Sequence, residues 1–149
     1  MSFNSCLDNV LKSEGGYSDD AFDSGGATNF GITIKEYSEF LGRAATKKEV
    51  RDMPLDDARK IYKKKYWDKM QLDNVNCPMM QMLLFNQGVN IGCGGAIKRA
   101  QCVINDNFHG TLVRDGGIGK LTLAALNQIS LDSQSSLFVS KYILSLIHI

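Results

Sequence analysis

Apolar positions recur at helical spacing from the first residues, with Phe3, Cys6, Leu7, Val10 and Leu11 on one face. Glu14 falls on that same face, and Gly15 and Gly16 stop the helix directly after it. Helical periodicity then lapses across residues 14–33, which carry one glutamate, three aspartates and five glycines. Between Tyr17 and Thr33 the pattern allows a short hairpin or irregular ribbon, the one plausible strand region of the chain.

Helical signals resume at once. Thr33 and Glu36 stand in capping-box relation ahead of Tyr37, Phe40 and Leu41, and Gly42 ends that helix. Thr46 and Glu49 repeat the device, which predicts a short helix to about Met53 before Pro54 interrupts. A longer helix is expected from Leu55 through Ala58, Ile61, Tyr62 and Tyr66, with Asp56 and Asp57 in its first turn and lysines near its end, as the helix dipole favours. Pro78 opens a segment in which Met79, Met80, Met82, Leu83, Leu84, Phe85, Val89 and Ile91 cover nearly every face, so the pattern predicts a central, buried helix. Its polar residues Asn86, Gln87 and Asn90 must then either bond to other buried groups or face a cleft.

After a break at Gly92, Gly94 and Gly95, Ala96, Ile97, Ala100, Val103 and Ile104 mark a further helix. A loop-like stretch runs to Gly119, another helix spans about Thr122 to Asn127, and an amphipathic helix follows with Leu137, Phe138, Ile143 and Leu144. The fold class is therefore mainly α.

Composition narrows the function. A chain of 149 residues with net charge +1 fits one compact domain or two small ones sharing a core, and has no basic field for nucleic acid. The run Lys63, Lys64, Lys65 reads as a solvated helix face, with a rim for an anionic polymer as the alternative. Cys6, Cys77, Cys93 and Cys102 form no Cys-x-x-Cys pair and no Cys/His ligand spacing, and His109 and His148 stand apart, so no metal or other cofactor is expected. The cysteines read as small buried hydrophobes in reduced form. No Rossmann or P-loop glycine pattern occurs. The first residues lack the basic start and apolar core of a secretory signal, and no apolar run is long enough to span a membrane.

Glu14 is the residue with chemistry in prospect. A carboxylate on an apolar face, at the helix end that carries partial negative charge, is disfavoured as an ion, which is what a general acid needs. The bland alternative is a solvated helix-end glutamate followed by ordinary glycine turns.

The whole constellation resembles a known signature. Glu14-Gly-Gly-Tyr17, Asp20, Asp23, Gly25-Gly26-Ala27-Thr28 and Gly31-Ile32-Thr33 together are similar to the motif of glycoside hydrolase family 108, the lysozyme-like N-acetylmuramidases that include phage endolysins and secretion-activator proteins. The stretch from Ala58 to Asp68 resembles the family's Tyr-Trp helix, and that from Leu84 to Gly92 its central helix. The segments from Ala96 to Gln101 and from Asp115 to Leu126 resemble its C-terminal peptidoglycan-binding-like part. The chain departs from the pattern at Ala21 and Ser24, where proline is frequent, at Asn86, where aspartate is common, and at Lys120, where proline often stands.

The resemblance implies a lysozyme-like helical fold with a lysozyme-like catalytic part at residues 1–90 and a helical peptidoglycan-binding-like part at 91–149. The two are expected to pack as one compact unit, with the family's closing aromatic-rich helix missing or replaced. It implies hydrolysis of the glycan strand of bacterial cell wall after N-acetylmuramic acid, with Glu14 as the general acid. For the second group the alternatives are Asp23, at the spacing that phage T4 lysozyme has between its glutamate and aspartate, and Asp20. Asp19 reads as a solvated turn residue. Candidate sugar ligands are Tyr17, Thr28, Asn90 and Trp67, with core packing the alternative for Trp67. Carboxyl groups about 6.5–9.5 Å apart would imply inversion and about 5–5.5 Å retention. The implied partner is peptidoglycan, met by a monomer that leaves the cytoplasm without a signal, through a holin-type pore or another route. The competing reading is a non-catalytic peptidoglycan-binding or secretion-activator module.

Overall fold

The computed structural model describes residues 3–19 and 26–147. Among these the fold is mainly helical. Its helices are α1 (Phe3–Glu14), α2 (Ile34–Leu41), α3 (Lys47–Arg51), α4 (Leu55–Tyr62), α5 (Pro78–Ile91), α6 (Cys93–Asn107), α7 (Lys120–Leu131) and α8 (Ser135–Ile147). A small antiparallel hairpin of β1 (Thr28–Asn29) and β2 (Ile32–Thr33) stands between α1 and α2 in the sequence. It falls in the one region where the hydrophobic pattern allowed a strand.

The chain forms two compact units, Leu7–Lys63 and a second made of Met1–Cys6 with Lys64–Ile149. Within the second unit α5 packs on α6. Met80, Leu84 and Phe85 of α5 and Ala96, Ile97 and Ala100 of α6 are all buried, so a cut between the two helices would open a core.

In the Leu7–Lys63 unit, local signals hold. Both capping boxes are formed: Thr33 caps α2 with Glu36, and Thr46 caps α3 with Glu49. Gly42 closes α2 in the left-handed conformation at φ 74°. Arg43 reaches Glu49 with two hydrogen bonds of 3.0 and 2.5 Å, and together with the Thr46 backbone N–H it holds the Glu49 carboxyl down at about 2. The Tyr37 hydroxyl donates to Asp57 at 2.7 Å, tying α2 to the start of α4.

In the other unit, Phe3, Trp67 and Phe85 form an edge-to-face cluster with centroids 5.4 to 5.7 Å apart. Such pairs contribute about 0.5–1.5 kcal/mol each beyond the area they bury. The expected continuous helix to Tyr66 is instead α-helical only to Tyr62 and becomes a π-helix over Lys63–Asp68. Lys63, Lys64 and Lys65 are exposed on it, whereas Trp67 is buried.

Two further expectations are corrected. α5 is not buried all round: Met80, Gln81, Leu84, Phe85 and Gly88 form one buried stripe, and Met79, Asn90 and Ile91 are exposed. The side chain of Met70 packs directly against Gly88 in this stripe, so a larger residue there would have to displace the Met70 methyl group. In α8 the buried residues are Phe138 and Tyr142, one turn apart, with the Tyr142 hydroxyl donating to Ala96 O at 3.0 Å. Leu137, Ile143 and Leu144 lie on the exposed side. An apolar helix with hydrophobic residues on both sides does not announce which side is buried.

Candidate active site

Glu14 is the last residue of α1 and is half-buried. Gly15 follows at φ 75°, the left-handed conformation that ends a helix without a Cβ penalty. The local geometry is the one expected from the sequence.

What stands against Glu14 is the hairpin turn. Asn29 pairs with Ile32, leaving Phe30 and Gly31 as a two-residue loop with φ values of 53° and 75°. Positive φ at both central positions marks a type I′ turn, whose twist matches the flanking strands. A Cβ on Gly31 would lie 2.8 Å from Glu14 Oε2, 3.2 Å from Glu14 Cβ and 2.9 Å from the Tyr62 hydroxyl. The carboxyl and the hydroxyl therefore converge on the face of Gly31, and only glycine leaves room for them.

Two side chains, one from α4 and one from the hairpin itself, hold it in place. Tyr62, buried at the end of α4, donates its hydroxyl proton to Phe30 O at 2.6 Å. Asn29, also buried, donates through Nδ2 to Val50 O at 3.0 Å and Arg51 O at 3.1 Å, satisfying carbonyls at the C-terminal end of α3. The other edge is tied by Thr28, whose backbone exchanges hydrogen bonds of 2.7 and 2.8 Å with Ser18.

The remaining sequence candidates fall as follows. Tyr17 is 39% exposed and sits beside the Ser18–Thr28 bridge. Thr28 is half-buried in β1, opposite Thr33. Asp19 is exposed, with Lys47 Nζ 3.2 Å from its Oδ2. Asp20 and Asp23, with Ala21 and Ser24, lie outside the described residues. Asn90 is exposed near the end of α5, in the other compact unit. Trp67 is 1% exposed and donates its indole N–H to Asp73 at 2.8 Å, which makes it a core residue with its polar tip satisfied and corrects the expectation of a stacking surface. Tyr62, Gly31 and Asn29 were not singled out as site residues by sequence reasoning. The signal for Gly31 was its place in the Gly31-Ile32-Thr33 motif, but Tyr62 read as one more apolar helix position.

The loop ahead of α7 is organised around buried Gln101. Its Nε2 donates to Asp115 Oδ1, Gly117 O and Thr122 Oγ1 at 3.0 to 3.2 Å, and its Oε1 accepts from Gly116 N at 2.9 Å. The Gly117 backbone N–H first, and then Gln101 Nε2, hold the Asp115 carboxyl below its ordinary range. Among the described residues no group of three or more His, Cys, Asp or Glu side chains could hold a metal ion, and no helix is long and apolar enough to cross a membrane.

A family model described as Glycosyl hydrolase 108 matches residues 7–92. Among solved structures, that of Brucella abortus SagA is similar at 30% sequence identity and a TM-score of 0.73, over 99% of this chain and 80% of that one. No curated protein matches the chain.

Proposed function

The chain belongs to the glycosyl hydrolase 108 family, and on that premise we infer that it is a peptidoglycan hydrolase of the lysozyme type, with Glu14 as general acid. The observation that carries this reading is the half-buried Glu14 carboxyl held against the type I′ turn at Gly31, inside the matched region. Hydrolysis of a glycosidic bond needs a proton delivered to the leaving oxygen while positive charge builds on the sugar ring. A carboxyl at a helix end, with glycine backbone in front of it, can approach a polysaccharide closely and deliver that proton.

In this reading Asp23 is the second group, as base or electrostatic stabiliser, with Asp20 as its rival; the asparagine variant that loses more turnover identifies it. Tyr17 and Thr28 are the proposed sugar contacts of the same unit, Tyr17 through its ring. The segment after residue 92, beyond the family match, is proposed to add affinity for cell wall rather than chemistry.

Purified peptidoglycan incubated with the protein and with Glu14→Gln tests the assignment. The reading expects muropeptide release by the wild type and a loss of at least about a hundredfold in the variant. Equal release by both sinks the general acid. Binding without release by either favours a non-catalytic cell-wall or secretion module.

A further inference from the structure

Phe30 occupies a conformation that an aromatic residue rarely adopts. At φ 53° it is in the left-handed region, where a non-glycine residue costs about 1–3 kcal/mol and persists only when its surroundings over-determine it. In a two-residue type I′ loop this position ordinarily carries asparagine, aspartate or glycine. The turn therefore needs an external hold, and Tyr62 supplies one. Its hydroxyl donates to the carbonyl of Phe30 itself at 2.6 Å, across a separation of 32 residues in sequence.

The same hydroxyl faces Gly31 from 2.9 Å, and Glu14 Oε2 faces it from 2.8 Å, both measured to the point where a Cβ would stand. The peptide that Tyr62 fixes is thus the wall against which the Glu14 carboxyl rests.

We propose that Tyr62 is the positioning residue for Glu14, locking the strained Phe30–Gly31 turn so that the carboxyl is held at the orientation proton delivery requires. The inference rests on the reading of Glu14 as general acid. Tyr62 touches neither substrate nor reacting atoms in this account; it acts through the turn. Because displacement of a catalytic group by about 1 Å can cost a hundredfold, one hydrogen bond behind the turn is enough to matter.

The test is a rescue experiment on soluble, uncross-linked peptidoglycan strands, with kcat and KM measured separately. Tyr62→Phe keeps the ring and removes the hydroxyl. It is expected to lower kcat by about ten- to a hundredfold with KM within about twofold. Phe30→Asn turns the loop into Asn-Gly, which adopts the type I′ conformation by itself. In that background Tyr62→Phe is expected to cost less than about threefold, because the turn no longer needs the hold.

An equal loss in both backgrounds assigns Tyr62 to packing and overturns the proposal, as does full kcat in Tyr62→Phe. Circular dichroism and the thermal midpoint of each variant, taken beforehand, show that the folded protein is compared. Glu14→Gln is run alongside. If it matches the wild type, or the wild type is inert, the general-acid reading fails and the positioning role fails with it. An inactive Glu14→Gln beside a fully active Tyr62→Phe overturns the positioning role alone.

Discussion

Gly31 faces the Glu14 carboxyl so closely that a methyl group on it would stand 2.8 Å from the carboxyl oxygen. At φ 75° the position is strained for any other residue as well. Gly31→Ala is expected to lose about 1–3 kcal/mol of stability from the backbone alone. Its turnover should fall further than the lost stability explains, since the added carbon displaces the carboxyl. Urea unfolding and turnover, both well below the thermal midpoint, separate the two effects.

Asn29 is the hairpin's anchor to α3. Asn29→Ala leaves the carbonyls of Val50 and Arg51 without these donors in a buried place and is expected to cost about 1–3 kcal/mol, read as a lower urea midpoint with unchanged m-value.

Tyr17 and Trp67 should part company under truncation. Trp67→Ala removes a ring packed on Phe3 and Phe85 and is expected to destabilise by about 3–5 kcal/mol. Tyr17→Ala, at an exposed position, should leave the unfolding midpoint nearly unchanged and raise KM for glycan strands. The reverse pattern would assign the sugar contact elsewhere.

Much of this architecture is legible in the sequence because it is local. The Thr33–Glu36 and Thr46–Glu49 boxes, the glycine stop after Glu14 and Pro78 at the head of α5 each act within a few residues. The site's supports are not local. Tyr62 meets Phe30 across 32 positions and Asn29 meets Val50 across 21, and no periodicity encodes such pairings. The π-helix over Lys63–Asp68 escaped for a related reason: the residues have ordinary helical composition, and the changed hydrogen-bond step is invisible in apolar spacing. The buried faces of α5 and α8 were likewise ambiguous, because apolar residues exceed what one face can bury.

Glu49 links the same unit to pH. Its carboxyl is held at about 2, first by Arg43 and then by the Thr46 backbone N–H, below its ordinary value of 4.5. A depressed carboxyl contributes stability that is fully present above its unfolded value and lost as pH falls through its folded one. The contribution should therefore disappear between about pH 4.5 and 2, and Glu49→Gln should flatten the stability profile in that window. Urea midpoints of both proteins across it provide the check.

The central claim is met most directly by the chemistry of the cut ends. Peptidoglycan digested by the protein is reduced with borohydride, hydrolysed and analysed for which amino sugar has become an alcohol. The account predicts muramicitol, formed in proportion to time and enzyme and absent with Glu14→Gln. Glucosaminitol in its place, or no new reducing ends from wall that the protein visibly binds, would contradict it.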